Sequence, residues 1–139
     1  MSKAFTLEII TPEKLFFKGT VESVIVPMED GQETFMADHA WVCQLLKVGE
    51  LKLKEEGQMD FRIAAIAEGF IDVKDTIIIY TDVAEWAEDI DYERAKAKKM
   101  KMESWLNEKN HEDPEDIRLA QIDLAKASAR IKVRDHLKR

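Results

Sequence analysis

Histidines, cysteines and paired carboxylates carry most catalysis and metal binding in proteins, and in this 139-residue chain they are widely spread. The three histidines, His39, His111 and His136, lie in a loop between predicted strands, in a polar break and in the C-terminal tail. A metal site would require them to converge, and their separation favours ordinary loop and surface histidines. Asp38 and His39 are neighbours, and adjacent side chains on an extended chain point to opposite sides, so they are not predicted to act as an acid–base pair.

The short motifs of nucleotide, dinucleotide and zinc enzymes are absent from the sequence. It contains no G-x-x-x-x-G-K-[S/T] loop, no G-x-G-x-x-G, no H-E-x-x-H and no C-x-x-C. The single cysteine, Cys43, lies in an apolar stretch and cannot form an internal disulfide, so it is predicted to be a small core residue. A small hydrolase would need a pocket with perturbed carboxylates, and no pair of acids is marked out for that role. No catalytic or metal-binding residue is therefore assigned.

The charge of the chain is unevenly distributed around a net charge of −7. Residues 1–90 carry 8 basic and 18 acidic side chains, or −10, whereas residues 118–139 carry 7 and 2, or +5. The overall acidity disfavours nucleic-acid binding, which needs a basic face. The asymmetry favours docking of the basic segment on the acidic part, or on an acidic partner. No run approaches the roughly 20 apolar residues of a membrane span, so no direct membrane span is expected.

The first 87 residues follow the two-residue period of β-strands. Phe5, Leu7 and Ile9 alternate with more polar residues, and so do Leu51 and Leu53. Further candidate strands cover residues 15–17, 21–26, 41–46, 61–67, 70–73 and 77–81. Short turns, most of them with Gly or Pro, separate these segments, which predicts antiparallel pairing into a sandwich or a barrel.

Two helices are predicted after residue 90. The first begins near Asp91, where the spacing becomes helical and Ala, Lys, Glu and Met predominate. A polar break after Asn107 ends at Asp113, which suits an N-cap, with Pro114 at the first helical position. Two acids then follow at the positive end of the helix. The sequence therefore predicts a strong start for the second helix.

The second predicted helix carries two apolar stripes. They consist of Ile117, Ala120, Leu124, Ala127 and Ile131, and of Ile122, Ala125, Ala129 and Val133. The small residues of the first stripe allow close approach of the first helix in a hairpin. Because both stripes together are wider than one neighbour needs, the helix is also expected to contact the strand domain or another subunit.

Several segments form an ordered set over nearly the whole chain. The set begins with FTLEIITPEK at residues 5–14 and ends with IDYERA at residues 90–95, with further segments at residues 21–25, 31–40, 49–53, 69–73, 76–79 and 84–85. No single segment is specific, but in this order and spacing they resemble the epsilon subunits of bacterial and chloroplast F-type ATP synthases.

The resemblance implies a β + α fold, with an N-terminal antiparallel β-sandwich of about ten strands followed by a C-terminal α-helical hairpin. Residues 1–87 would form a docking domain and residues 88–139 a regulatory helix-turn-helix domain. The implied role is a non-catalytic subunit of the central stalk of a proton- or sodium-translocating ATP synthase, located at the cytoplasmic face of the cell membrane.

In that role the chain would couple the gamma subunit to the c-ring, and its helices would inhibit ATP hydrolysis. The implied partners are the gamma subunit and the c-ring, and also the alpha and beta subunits when the helices extend. The alternative is a stand-alone nucleotide-sensing or scaffolding module of the same architecture, since a fold alone does not fix a function.

The loop at residues 31–41 departs from the family pattern G-E-[LF]-G-[IV]-L-P-x-H-A-P. Gly31, His39 and Ala40 match, whereas Gln32 replaces the usual acid and Trp41 replaces a proline. These changes alter the expected contacts with the c-ring, and the partner-interface candidates here are Gly31, Gln32, His39 and Trp41. Burial of Trp41 as a core residue is favoured over exposure at an interface.

Some members of the family bind ATP on the folded hairpin, so a regulatory ATP is implied although no cofactor is required. The corresponding positions in this chain are Glu85, Asp91, Arg94, Lys101, Lys126 and Arg130. Lys101 and Lys126 stand where the family has arginine, and a lysine offers a point charge instead of a planar fork, so weaker binding is predicted. The alternative is that Asp91 only caps the helix and the cations form a solvated face.

The last helix supplies the remaining interface candidates. Lys132 and Arg134, together with Lys126 and Arg130, are predicted to pair with acidic loops of the beta subunit when the helix extends.

Overall fold

The computed structural model describes residues 3–138, which form nine strands followed by two α-helices. The strands are β1 Phe5–Ile10, β2 Leu15–Met28, β3 Gly31–Met36, β4 Val42–Leu46, β5 Gly49–Glu55, β6 Arg62–Ile66, β7 Gly69–Val73, β8 Ile77–Thr81 and β9 Ala84–Trp86. The helices are α1 Tyr92–Asn107 and α2 Pro114–Asp135, and short 3₁₀ turns lie at Ala87–Asp89 and His136–Lys138.

The strands form two layers that share β2. The first layer has the order β4-β7-β8-β1 and ends on the first half of β2, which pairs with β1. In the second layer, the other half of β2 lies between β3 and β5, followed by β6 and β9. The predicted sandwich with a helical hairpin is thus confirmed. The predicted antiparallel pairing holds for the other strand pairs, and β1 and β8 run parallel.

The core lies between the two layers and follows the predicted alternation. Leu7 and Ile9 from the first layer and Leu51 and Leu53 from the second have no exposed surface. Phe35 of β3 is also fully buried in the same cluster. Burial of each large apolar side chain stabilises the fold by about 2 kcal/mol. All buried members of this cluster lie in strands, so the helices contribute no residue to it.

Three strands differ from the sequence prediction. The segments at 15–17 and 21–26 are parts of one 14-residue strand, β2. The strands β3 and β9 were not predicted, because β3 buries only Phe35 and β9 has only three residues. Trp86 anchors β9, since its ring stacks on Phe16 with centroids 4.5 Å apart and the Arg62 guanidinium lies 3.7 Å from its ring centroid.

The prediction that Trp41 and Cys43 are core residues is wrong. Trp41 is 67% exposed, and Cys43 is also exposed. Side chains alternate between the two faces along an extended chain. Leu46 of β4 points into the core, so Cys43 of β4 and Trp41 just before it point outward. An apolar residue at this edge of the sheet therefore faces solvent.

The predicted helix starts are confirmed. Asp91 caps α1, with its Oδ1 accepting the backbone N–H of Arg94 at 3.1 Å. Asp113 caps α2 by accepting the backbone N–H of Glu115 at 2.9 Å, and Pro114 occupies the first turn. Neither helix within residues 3–138 is long and apolar enough to cross a membrane.

The helices form a hairpin that rests on the second layer. Helix α2 contacts α1 along its length and also contacts β5 and β6. Ala127 of the small-residue stripe has no exposed surface, and Val133 of the second stripe is buried against Ala65, Ala87 and Ile90. Helix α2 thus makes both predicted contacts, one with α1 and one with the sandwich, while Ala125 of the second stripe is exposed.

Candidate functional site

The hairpin is joined to the sandwich by an ion pair between two residues predicted from the family resemblance. Arg130 of α2 donates from Nε to Oε1 of Glu85 on β9 at 2.6 Å. Both side chains are about one-third exposed, with 33% and 32% of their surface accessible. The pair is therefore partly screened by water, and its contribution to docking is on the order of 1 kcal/mol.

The structure brings together three of the six predicted nucleotide-site residues. Glu85, Lys126 and Arg130 line one crevice between the sandwich and α2, whose volume is about 10 Å³. That volume holds no more than a water molecule, so a nucleotide would have to bind on the outer surface of the hairpin or open the crevice.

The other three predicted residues lie on or next to α1. Arg94 and Lys101 are exposed, and neither lines the crevice. Asp91 is the N-cap described above. An ion pair between the helices lies close by, with Lys98 Nζ 3.7 Å from Asp123 Oδ2. The hairpin therefore presents cations on α1 and α2, and their role in nucleotide binding stays a prediction.

A second surface lies on the outer face of the first layer. Leu45, Phe70 and Tyr80 are directly paired across β4, β7 and β8, and Tyr80 is paired in turn with Ile10 of β1. We call these four residues the apolar row. Leu45 is 80% exposed, and the rings of Phe70 and Tyr80 stack with centroids 4.7 Å apart. The row is an apolar strip on the side of the sandwich away from the hairpin.

The apolar row lines one side of an open groove of about 1130 Å³. The other side is the turn between β2 and β3, which includes the predicted interface residues Gly31 and Gln32. Gly31 has a φ of +120°, a backbone conformation that glycine adopts readily. The charged residues that line the groove are Glu29, Asp30, Glu33, Lys47, Glu68 and Asp82. The groove thus combines an apolar strip with a mostly acidic rim.

The predicted interface residues His39 and Trp41 lie beyond the other end of β3. They line a depression of about 500 Å³ together with Asp38. Asp38 has a φ of +67° and accepts a hydrogen bond from Lys3 Nζ at 2.6 Å, which with the charge of Asp38 raises the pKa of Lys3. His39 places Nδ1 2.8 Å from the carbonyl oxygen of Ala40 and packs on Phe35. The four loop candidates therefore do not form one site.

The two remaining interface candidates, near the end of α2, differ in their contacts. Lys132 is exposed. Arg134 donates from Nη1 to the carbonyl oxygens of Ala87 at 3.2 Å and Glu88 at 3.5 Å. Arg134 is thus engaged by the sandwich in this folded state and would have to leave it to reach another subunit.

Sequence reasoning missed the apolar row and one buried acid, Glu50. The row had no clear sequence signal, because the segment at residues 41–46 is apolar on both faces and the pairing of Phe70 with Tyr80 depends on the strand order. Glu50 gave no sequence signal, because a charged residue on a strand is ordinarily exposed. Within residues 3–138, no group of three or more His, Cys, Asp or Glu side chains is placed to hold a metal ion.

The described chain is a β-sandwich with a charged helical hairpin on one face and an exposed apolar row on the other. Two family profiles match the chain. The first, ATP synthase, Delta/Epsilon chain, beta-sandwich domain, covers residues 4–87, and the second, ATP synthase, Delta/Epsilon chain, long alpha-helix domain, covers residues 88–134. The chain belongs to the ATP synthase delta/epsilon chain family, which confirms the resemblance seen in the sequence.

Individual relatives agree with this assignment. The chain is 41% identical over 133 residues to the ATP synthase epsilon chain of Desulforamulus reducens, covering 95% of this chain and 98% of the relative. It is 36% identical to the ATP synthase epsilon chain of Bacillus velezensis, covering 94% and 97%.

Two solved structures share the fold. A chain of the Euglena gracilis mitochondrial ATP synthase superposes with a TM-score of 0.78 at 20% identity, covering 91% of this chain and 78% of that one. A chain from the central stalk and c-ring of the Tetrahymena thermophila enzyme gives 0.61 at 13% identity, covering 96% and 98%. At these identities the likeness concerns the fold alone.

Proposed function

We propose that the chain is the epsilon subunit of the central stalk of an F-type ATP synthase, and that it couples the gamma subunit to the c-ring. In this role it is a non-catalytic rotor subunit, peripheral to the membrane at the cytoplasmic face. Membership of the delta/epsilon family supports the role. The observation that carries the docking proposal is the apolar row beside an acidic-rimmed groove, on the face of the sandwich that the hairpin leaves open.

The chemistry of this face defines its partner. An exposed apolar strip bordered by charges is characteristic of a protein–protein interface, because burial of the apolar strip drives association. The acids around the groove favour a partner surface with an apolar centre and basic residues around it. We assign the gamma subunit to this face, and the c-ring to the loop that holds His39 and Trp41.

Replacing Leu45 with glutamate tests the docking face. The change places a charge in the middle of the apolar row and is expected to reduce recovery of the gamma subunit with the tagged chain by about tenfold or more. Recovery is measured by affinity purification from the cells that encode the chain. Met59→Glu is the matched control, because Met59 is 90% exposed in the turn after β5, and its recovery of gamma should equal that of the unmodified chain.

A stand-alone sensing or scaffolding module of the same fold is the alternative. The same purification separates the two functions, since a stand-alone module would bring down none of the ATP synthase subunits. Failure of the unmodified chain to recover the gamma subunit would overturn the stalk role.

ATP as a regulatory ligand of the hairpin is a further part of the proposal. Arg94, Lys101, Lys126 and Arg130 supply cations on two antiparallel helices, and a triphosphate is a ligand of matching charge. Arg130 would have to share or exchange its Glu85 partner with phosphate, because a carboxylate already accepts from its Nε. Binding of ATP would thereby be coupled to the contact between α2 and the sandwich.

Calorimetry of the isolated chain with ATP tests this ligand. We expect a binding signal, and a loss of affinity of about tenfold to a hundredfold in Arg94→Ala, which removes one charge-assisted contact. Lys74→Ala is the control, since Lys74 is 62% exposed in the turn between β7 and β8. Equal affinities of Arg94→Ala and the unmodified chain, or no binding by either, would favour the alternative in which Asp91 is only a cap and the cations are solvated.

The hairpin is proposed to switch between this folded state and an extended state that inhibits ATP hydrolysis. The folded state engages Arg130 and Arg134 with the sandwich, and release would expose both to an acidic partner such as loops of the beta subunit.

A further inference from the structure

The underside of α2 crosses a row of two acids separated by one alanine. Glu50 of β5 is paired with Ala65 of β6, and Ala65 is paired with Glu85 of β9, so all three side chains face the helix. The end of α2 meets each member of this row in turn. Arg130 contacts Glu85, Val133 packs with Ala65, and His136 Nε2 lies 2.9 Å from Glu50 Oε1.

The spacing of these contacts follows from elementary geometry. Six residues of helix, from Arg130 to His136, rise about 9 Å. Two strand spacings, from β9 to β5, amount to about 9.6 Å. A segment of this length that crosses three strands can therefore contact one residue on each strand through every third residue of its own.

The Glu50 end of the row is different from the Glu85 end. The Glu50 side chain is only 4% exposed, whereas Glu85 is 32% exposed. Glu50 Oε1 also lies 3.2 Å from Lys52 Nζ. Among the residues that the structure describes, none provides a hydrogen-bond partner for Glu50 Oε2, which is buried. When the hairpin is docked on the sandwich, the Glu50 carboxylate is therefore removed from water without hydrogen bonds to both of its oxygens.

We propose that Glu50 is the release element of the hairpin and His136 its latch. Removal of a carboxylate from water opposes docking, and the contact with His136 offsets that cost while the helix is down. When α2 leaves, Glu50 becomes hydrated, which favours the released state. This device rests on the proposed switching of the hairpin, but it requires neither ATP nor a partner subunit, because all its groups lie within one chain.

Hydrogen exchange of the full-length chain, followed by mass spectrometry without nucleotide, tests the latch. His136→Ala is expected to speed exchange of the α2 amides at residues 126–135 by about tenfold or more. The buried Glu50 carboxylate then keeps only its contact with Lys52, so docking of α2 is weaker and the helix opens more often. Adding Glu50→Gln to His136→Ala removes the stranded charge and should restore most of the protection.

Arg118→Ala is the matched control on the same helix. Its partner Glu115 is exposed, so exchange at residues 126–135 should stay unchanged. Slow exchange of β1 and β8 in every variant verifies that the sandwich is folded. Unchanged exchange in His136→Ala, or no restoration by Glu50→Gln, would overturn the latch. Either outcome leaves the docking and ATP proposals standing, because those are measured by gamma recovery and calorimetry.

Discussion

Replacing Gly69 with alanine is expected to destabilise the protein by about 3 kcal/mol or more and to lower its Tm by roughly 10 °C. Gly69 begins β7, which lies between β4 and β8. It is paired with Leu46 of β4 on one side and with Thr81 of β8 on the other. A methyl group on Gly69 would lie 1.8 Å from the carbonyl oxygen of Tyr80, which is backbone and cannot rotate away. Relief requires movement of β7 against β8, and the loss is measured by thermal and urea unfolding.

Gly57→Ala provides the comparison for that measurement. Gly57 has a φ of +81°, which disfavours alanine, but no atom lies within 4 Å of the added methyl group. Only the backbone cost remains, about 1 kcal/mol. Equal losses in the two variants would contradict the steric argument at Gly69. Because Gly69 adjoins Phe70, its variant should also weaken recovery of the gamma subunit.

Deleting residues 91–139 is expected to raise ATP hydrolysis by the assembled complex about fivefold or more, since it removes the proposed inhibitory segment with its basic residues. The deletion leaves the main core intact, because every buried member of the main core cluster comes from residues 5–79 and the hydrophobic residues packed against it end at Trp86. Hydrolysis is measured on complexes purified with the full-length or the shortened chain.

The same deletion should leave assembly unchanged. The apolar row and the groove belong to the sandwich, so the shortened chain is expected to recover the gamma subunit as efficiently as the full-length chain. Equal hydrolysis rates in two complexes that contain equal amounts of the subunit would contradict the inhibitory role of the helices.

Local signals predicted the fold well where one physical rule dominated. The alternation at Leu7 and Ile9 reflects a strand with one buried face, and Asp113 followed by Pro114 satisfies the first turn of a helix without tertiary help. Trp41 and Cys43 were misplaced, because the segment from 41 to 46 is apolar on both faces and its hydrophobicity does not indicate which face is inside.

Only part of the site could be predicted, because its contacts join residues that are far apart in the sequence. The family pattern located Glu85 and Arg130, which the structure joins across 45 residues. Glu50 and His136 have no local pattern that marks them, because their proximity depends on where α2 crosses the second layer. The apolar row likewise exists only through the pairing of strands from different parts of the chain.

The shared strand β2 has a mechanical consequence. Its first half is hydrogen-bonded to β1 in the layer that carries the apolar row, and its second half to β3 and β5 in the layer under the hairpin. A force on one layer is therefore transmitted to the other layer through the continuous backbone of β2. The two layers can separate only if the hydrogen bonds between β2 and its neighbouring strands are broken. We therefore expect the two layers to move as one body, whether or not the hairpin is docked.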